Sequence, residues 1–477
     1  MKQLWIAALC GLMAVTAASS GFAQASKPAA AQPDTPATRQ AMAFLQAVTG
    51  DDEASFLRFV ADNAKATGIP ADRWRDIRPN LLKLKFHAVT SASPTEAEVL
   101  VYDGAREGWA RLMISVASEP PYGITRFGLR LAKRPDDVPA PPKLAPQALA
   151  AAAKAKAEMM AAEDTFSGAV LVGKDGKPIF QGAYGLADRA AKMRNTLQTQ
   201  FRFGSMGKMF TAVSIMQLAE AGKLDLKAPI GRYLTDYPNA DIATKVTVEN
   251  LITHTGGTGD IFGPQFTANR ATLRDAKDYV ALYGARGPQF APGTSSAYSN
   301  YGFMLLGRIV EVVSAQSYDD YVAQHIVAPA HMTGTGMAPE TTNLPRRATG
   351  YTSVRGKLQD ATDTLPWRGT PAGGGYSTVG DMLAFANALQ SHRLVNAASL
   401  VQLTTGGVMG PDGTFYRYDF TDQTAEGRRF WGHGGGAPGM NGDLRMFPDS
   451  GYVVVVLANR DPPAAQTLAA YISDRLP

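Results

Sequence analysis

The sequence predicts a chain of two unlike parts. A small α+β unit covers residues 37–133, and a larger mixed α/β domain covers 149–477, with an antiparallel sheet flanked by helices and a helical subdomain. Three observations predict this. Apolar periodicity changes once, from helical to alternating, within the first part. A stretch with five prolines between Arg134 and Pro146 breaks the chain. The second part carries an apolar hairpin at each end and helical patterns between them.

Residues 1–25 stand apart. Lys2, an apolar run from Leu4 to Ala18 and small residues ending in Ala23-Gln24-Ala25 form the pattern of a secretory signal peptide. The run is shorter than the roughly 18–20 residues a membrane span requires, so export to the periplasm or medium is expected, without a stable membrane anchor. Cys10, the only cysteine, lies in this run behind Leu9, which is too large for a lipoprotein site. Cleavage then leaves a chain without disulfides or thiolate chemistry. Residues 26–36, rich in Ala and Pro, read as a flexible start.

In the small unit Met42, Leu45 and Val48 share one helical face. Asp51 and Asp52 can cap a second helix carrying Phe56, Phe59 and Val60. The stretches 97–102, 109–116 and 124–131 alternate as strands. Helices followed by strands in this way are similar to the cone-shaped folds of the nuclear transport factor 2-like class. Residues 134–148 form the linker, and a helix over 147–162 opens the second domain. Strands 167–172 and 179–184 turn through Asp175-Gly176. Strands 443–447 and 452–458, then a helix from about Pro463 to Leu476, close the chain.

Hydrophobic residues make up 45% of the chain and charged residues 19%, values ordinary for a soluble globular protein. The formal charge is +5 with basic residues scattered, so no nucleic-acid partner is expected. His87, His325, His331 and His392 show no ligand spacing and no His-Glu-x-x-His occurs, so no metal is expected. Gly434, Gly436 and Gly439 match a dinucleotide fingerprint but lack its strand–helix context, and no cofactor is expected.

Three short segments carry chemistry. In Phe203-Gly204-Ser205-Met206-Gly207-Lys208, the helical period that follows puts Ser205 in a first turn, with Lys208 one turn later on the same side. A helix start suits a developing oxyanion, and a buried neutral lysine can take the hydroxyl proton. In Tyr298-Ser299-Asn300, a phenol can relay a proton and an amide can hold the substrate's amide. Tyr237-Pro238-Asn239 repeats that pattern but reads as loop. In His433-Gly434-Gly435-Gly436, glycines let a substrate approach an edge strand and free an N–H as oxyanion donor.

Ser-x-x-Lys, Tyr-x-Asn and a basic residue with glycines, in that order, resemble the motifs of penicillin-recognising serine hydrolases. The segments Leu251–Gly257 and Pro371–Thr378 are similar to two further stretches of the group holding class C β-lactamases, D-alanyl-D-alanine carboxypeptidases, D-aminopeptidases and related esterases. The resemblance covers about residues 150–477 and implies a β-lactamase-like fold with two-step acyl transfer. It implies Ser205 as nucleophile, Lys208 as base and Tyr298 as proton donor to the leaving group. The N–H groups of Ser205 and Gly436 would form the oxyanion site, with Asn300, His433, Gly434 and Gly435 lining it.

One departure bears on substrate. Many penicillin-hydrolysing relatives carry Lys-Thr-Gly where this chain has His433-Gly434-Gly435. A histidine is neutral or partly charged near neutral pH, so capture of a substrate carboxylate should be weaker. An ester or D-amino-acid-type peptide therefore ranks above a β-lactam, with cell-wall peptides among the candidates. A β-lactamase and a non-catalytic peptidoglycan-binding or sensor module are the alternatives. His254, at a helix end, reads as structural. Trp431 reads equally as pocket wall or core.

Overall fold

The computed structural model describes residues 33–105, 107–354, 357–409 and 415–477. The signal-peptide reading lies outside them. Thr35 caps the helix α1 (Pro36–Thr49) by accepting from the Thr38 N–H. Asp52 caps α2 (Glu53–Asn63) through the N–H groups of Ala54 and Ser55, and α3 (Ala71–Ile77) follows. These helices lie on a four-stranded antiparallel sheet in sequential order, β1 (Leu84–Ala92), β2 (Glu96–Asp103), β3 (Gly108–Val116) and β4 (Ile124–Ala132). Phe44 packs against Phe56, Trp74 and Phe127 at ring separations of 6.1, 5.9 and 5.1 Å, giving this unit its own core.

After the proline-rich stretch, α4 (Pro146–Ala162) leads into β5 (Gly168–Lys174) and β6 (Lys177–Tyr184). The late strands are β7 (Val408–Met409), β8 (Phe415–Arg417), β9 (Phe420–Ala425), β10 (Arg428–Ala437), β11 (Met440–Phe447) and β12 (Tyr452–Ala458). They join β5 and β6 in one antiparallel sheet of order β7-β8-β9-β10-β11-β12-β5-β6. The beginning and end of the second domain therefore meet at the β12–β5 ladder, from Tyr452 opposite Lys174 to Ala458 opposite Gly168.

The sheet is covered on both faces, which explains why β12 reads as an unbroken apolar run. Val453, Val455 and Leu457 face the large core with α5 (Lys208–Glu220), α6 (Asn300–Ser314) and α7 (Val379–Gln390). Val454, Val456 and Ala458 face a second core with α4 and the closing helix α8 (Ala464–Ser473). Arg134, just beyond the small unit, holds Glu426 at the β9–β10 turn by bonds of 3.0 and 2.8 Å. Thr467 on α8 donates to the Ala105 carbonyl at 3.1 Å. Among the described residues no helix is long and apolar enough to cross a membrane.

Candidate active site

Ser205 is not in the first turn of a regular helix. It sits in a 3-10 turn, Gly204–Gly207, that runs directly into α5. That helix is apolar on every side, with Met209, Phe210, Val213 and Met216 all in the core, so its position is set by packing. Lys208 enters the same core fully buried, while Ser205 is half-buried.

The Lys208 Nζ lies 3.2 Å from Ser205 Oγ, 2.8 Å from Asn300 Oδ1 and 2.5 Å from the Ala372 carbonyl. The amide oxygen and the carbonyl can only accept. A neutral amine satisfies both with its two N–H groups and leaves its lone pair for the Ser205 hydroxyl. Burial pushes Lys208 down from the ordinary 10.5 to about 8, against the opposing fields of Asp419 and Asp260.

The Tyr298-Ser299-Asn300 segment reaches the same point from the start of α6. Ser299 caps that helix, its Oγ accepting from the Gly302 N–H at 2.8 Å. Asp260 accepts from the Asn300 backbone N–H at 3.0 Å and from Nδ2 at 3.3 Å. Both ends of the Asn300 amide are thus engaged within the protein, its oxygen on Lys208 and its nitrogen on Asp260. One N–H of the amide is left for a substrate. The Tyr298 ring lies beneath the lysine, 4.8 Å from Nζ to the ring centre. The look-alike at Tyr237 is structural: Tyr237 is buried and Asn239 caps the helix Ala240–Lys245.

The glycine segment closes the third side. It lies within β10, the fourth strand of eight, and so is not at the edge of the sheet as a whole. It is an edge locally, because β9 pairs with β10 only as far as Gly432 and leaves His433–Ala437 with β11 alone. This open half packs backbone against backbone on the serine turn. A Cβ on Gly435 would lie 1.9 Å from the Phe203 carbonyl oxygen. Gly204 has φ +56°, and a Cβ there would come within 3.0 Å of the Gly436 nitrogen. Glycine is required on both sides of this contact. Trp431 is core, packed on Phe420 at 6.0 Å.

His433 departs from expectation. It is buried rather than lining an open pocket, with Nε2 3.1 Å from Asp419 Oδ2 and Nδ1 against the Gly434 carbonyl. The other Asp419 oxygen, Oδ1, lies 2.8 Å from His254 Nε2. The His254 Nδ1 accepts from the Ser299 N–H at 3.1 Å, and its ring lies 4.5 Å from that of Tyr298. His254 is therefore more than a helix end: it supports the Tyr298–Asn300 segment. Burial alone would raise the Asp419 carboxyl. The charge of His433 and the bonds from His254 and His433 hold it well below the usual carboxylate range. Asp419, Asp260 and the Ala372 carbonyl were not legible as site residues in the sequence. The one local signal for Asp419 is its place in a two-residue turn, where Asp tolerates a positive φ.

The beta-lactamase family model matches residues 152–476. A crystal structure of a penicillin-binding protein from Bacillus halodurans is 33% identical, with a TM-score of 0.60 over 65% of this chain and 97% of that one. Penicillin-binding protein 4 of Amycolatopsis lactamdurans is 29% identical over 294 residues, 58% of this chain and 76% of that protein. A D-stereospecific amidohydrolase from Streptomyces is 26% identical, with a TM-score of 0.59 over 68% of this chain and 98% of that one. The match spans most of the second part, including every residue of the site described above, and the chain belongs to the beta-lactamase family of serine hydrolases.

Proposed function

We propose that the chain hydrolyses esters or D-amino-acid-type amides and peptides through an acyl-enzyme on Ser205, with neutral Lys208 as base. The observation that carries this reading is the environment of Lys208, buried, satisfied by two acceptors and 3.2 Å from the serine hydroxyl. Ser205 Oγ attacks the carbonyl carbon while its proton passes to Lys208 Nζ. The negative charge on the carbonyl oxygen faces the N–H groups of Ser205 and Gly436, where the serine turn and the glycine strand meet. Collapse expels the alcohol or amine, which takes up a proton through Lys208 and Tyr298. Water then attacks the acyl carbon and restores Ser205 by the reverse proton path.

Two observations support the ranking of substrates. His433 stands where a lysine would capture a carboxylate, and its Nε2 already faces Asp419. The Streptomyces relative is named for D-stereospecific amide hydrolysis. The amino-terminal pattern around Leu4–Ala18 supports export.

Labelling with a fluorophosphonate, followed by intact mass and peptide mapping, tests the reading. One adduct is expected, on the peptide containing Ser205, absent in Ser205→Ala and strongly slowed in Lys208→Met. The absence of an adduct on the wild-type protein would favour a binding or sensor role. Rapid turnover of a chromogenic cephalosporin with inert esters and D-peptides would reverse the substrate ranking.

A further inference from the structure

The peptide unit between Gly435 and Gly436 has one buried end and one open end. Gly435 is buried and Gly436 is exposed, and across a trans peptide the carbonyl of the first and the N–H of the second point in opposite directions. The unit lies against the serine turn. A Cβ on Gly204 would come within 3.0 Å of the Gly436 nitrogen, and one on Gly435 would lie 3.1 Å from the Ser205 nitrogen. Whatever fixes the Gly435 carbonyl therefore fixes the direction of the Gly436 N–H beside Ser205.

Asn441 fixes that carbonyl. It stands on β11 opposite Gly436, and its side chain is 0% exposed. Nδ2 donates to the Gly435 carbonyl at 2.7 Å, so that carbonyl turns toward β11 and the Gly436 N–H turns away from it. β9 stops pairing at Gly432, and the N–H is directed to the edge it leaves open. The other end of the Asn441 amide, Oδ1, accepts from the Ala465 N–H in the first turn of α8 at 2.6 Å. A carbonyl can only accept and an N–H can only donate, so the two partners dictate which way the amide faces. The helix itself is held close to the strand pair. Gln466 Nε2 donates to the Gly442 carbonyl at 3.2 Å, and a Cβ on Gly436 would lie 2.5 Å from Pro462 Cγ. A buried polar link with both ends satisfied is rigid.

We infer that Asn441 is a positioning residue for acyl transfer: by holding the Gly435 carbonyl against α8, it aims the Gly436 N–H at the oxygen that becomes negative when Ser205 attacks. The inference rests on the hydrolase reading above and adds to it a residue outside the three sequence segments. Asn441 does not touch the reacting atoms. It acts through one peptide unit, and its loss should appear in the chemical step more than in substrate binding.

Single-turnover acylation by an activated ester labelled with ¹³C at its carbonyl tests this, read as a rate and as the infrared carbonyl band of the acyl-enzyme. In wild type, hydrogen bonds to the acyl oxygen should lower the band below that of the free ester. In Asn441→Leu, acylation should slow by about 10- to 100-fold, and the band should move back toward the free ester. Asn441→Ser, which keeps a polar atom but is too short to reach both partners, should shift rate and band in the same direction by less. Thr467→Val disturbs the same helix by removing its bond to the Ala105 carbonyl, and should leave the band where it is in wild type. A role confined to the fold would lower Tm in Asn441→Leu without moving the band, and that result overturns the inference, as does an equal shift in Thr467→Val. No acylation of the wild type would sink the hydrolase reading and this one with it. Acylation of the wild type with rate and band unchanged in Asn441→Leu sinks this one alone. If neither Asn441 variant folds, ¹⁵N NMR of the wild type decides: one side-chain amide proton of Asn441 should be strongly protected from solvent exchange, and free exchange of both contradicts the inference.

Discussion

Lys208 and His433 are both buried basic residues of one site, and their surroundings treat them in opposite ways. Lys208 meets an amide oxygen, a carbonyl and a hydroxyl, with no carboxylate among its hydrogen-bond partners. Burial therefore dominates and lowers it to about 8. His433 has its Nε2 3.1 Å from the Asp419 carboxylate and its Nδ1 against the Gly434 carbonyl. Chemistry in this site depends less on which bases are present than on where the carboxylates lie. Asp260 is one residue removed from Lys208, acting through Asn300, while Asp419 is in direct contact with His433.

The largest effects should come from breaking the lysine side of this comparison. Ser205→Ala removes the nucleophile, and kcat should fall by about 10⁴-fold or more. Lys208→Met removes the base and should cost about 10²–10⁴-fold, measured as the rate of acylation by an activated ester. The two sides should also separate in stability. Because Lys208 is lowered in the fold, the unfolded chain binds more protons between about 8 and 10.5, and stability rises with pH across that window. Lys208→Met removes this dependence, so its Tm, followed by calorimetry, should match or exceed that of wild type below about pH 8 while activity is lost. A variant that lost stability there would show that the protonated lysine contributes to the fold.

A smaller effect sharpens the strand side. Gly435→Ala places a methyl 1.9 Å from the Phe203 carbonyl oxygen, so the strand and the serine turn must separate. The cost should be about 1–3 kcal/mol in denaturant unfolding, with acylation slowed as well. Gly434→Ala meets the Gln466 amide nitrogen at 3.2 Å and the Gly442 carbonyl oxygen at an ordinary 3.7 Å, and should cost less on both counts. Equal losses for the two would mean that strand flexibility, not the close approach to Ser205, sets the glycine requirement.

What was legible in the sequence follows from the range of each signal. Ser205 and Lys208 are three residues apart, so a helical reading brings them together, although the serine lies in a tighter turn than periodicity implies. Tyr298–Asn300 and His433–Gly436 were found by their order along the chain. Their mutual geometry is tertiary and could not be read. The Asp260 contact to Asn300 was missed because Asp260 lies forty residues away in a loop without a motif. Asp419 was missed for a similar reason: Tyr418-Asp419 reads as a plain hairpin turn, and only folding buries its tip between two histidines. The edge position of the glycine strand was half right, because the pattern could not show that β9 stops pairing at Gly432. The strand at 452–458 was legible as an apolar run, and the two cores on either side of it account for that run.

The measurement that bears most directly on the central claim is the pH dependence of single-turnover acylation at Ser205, followed by intact mass with an activated ester. If buried Lys208 is the base, the rate should rise with pH as the amine loses its proton, with a midpoint near about 8, and this limb should vanish in Lys208→Met. A rate that is flat through that range, or a limb that survives in Lys208→Met, would contradict the account.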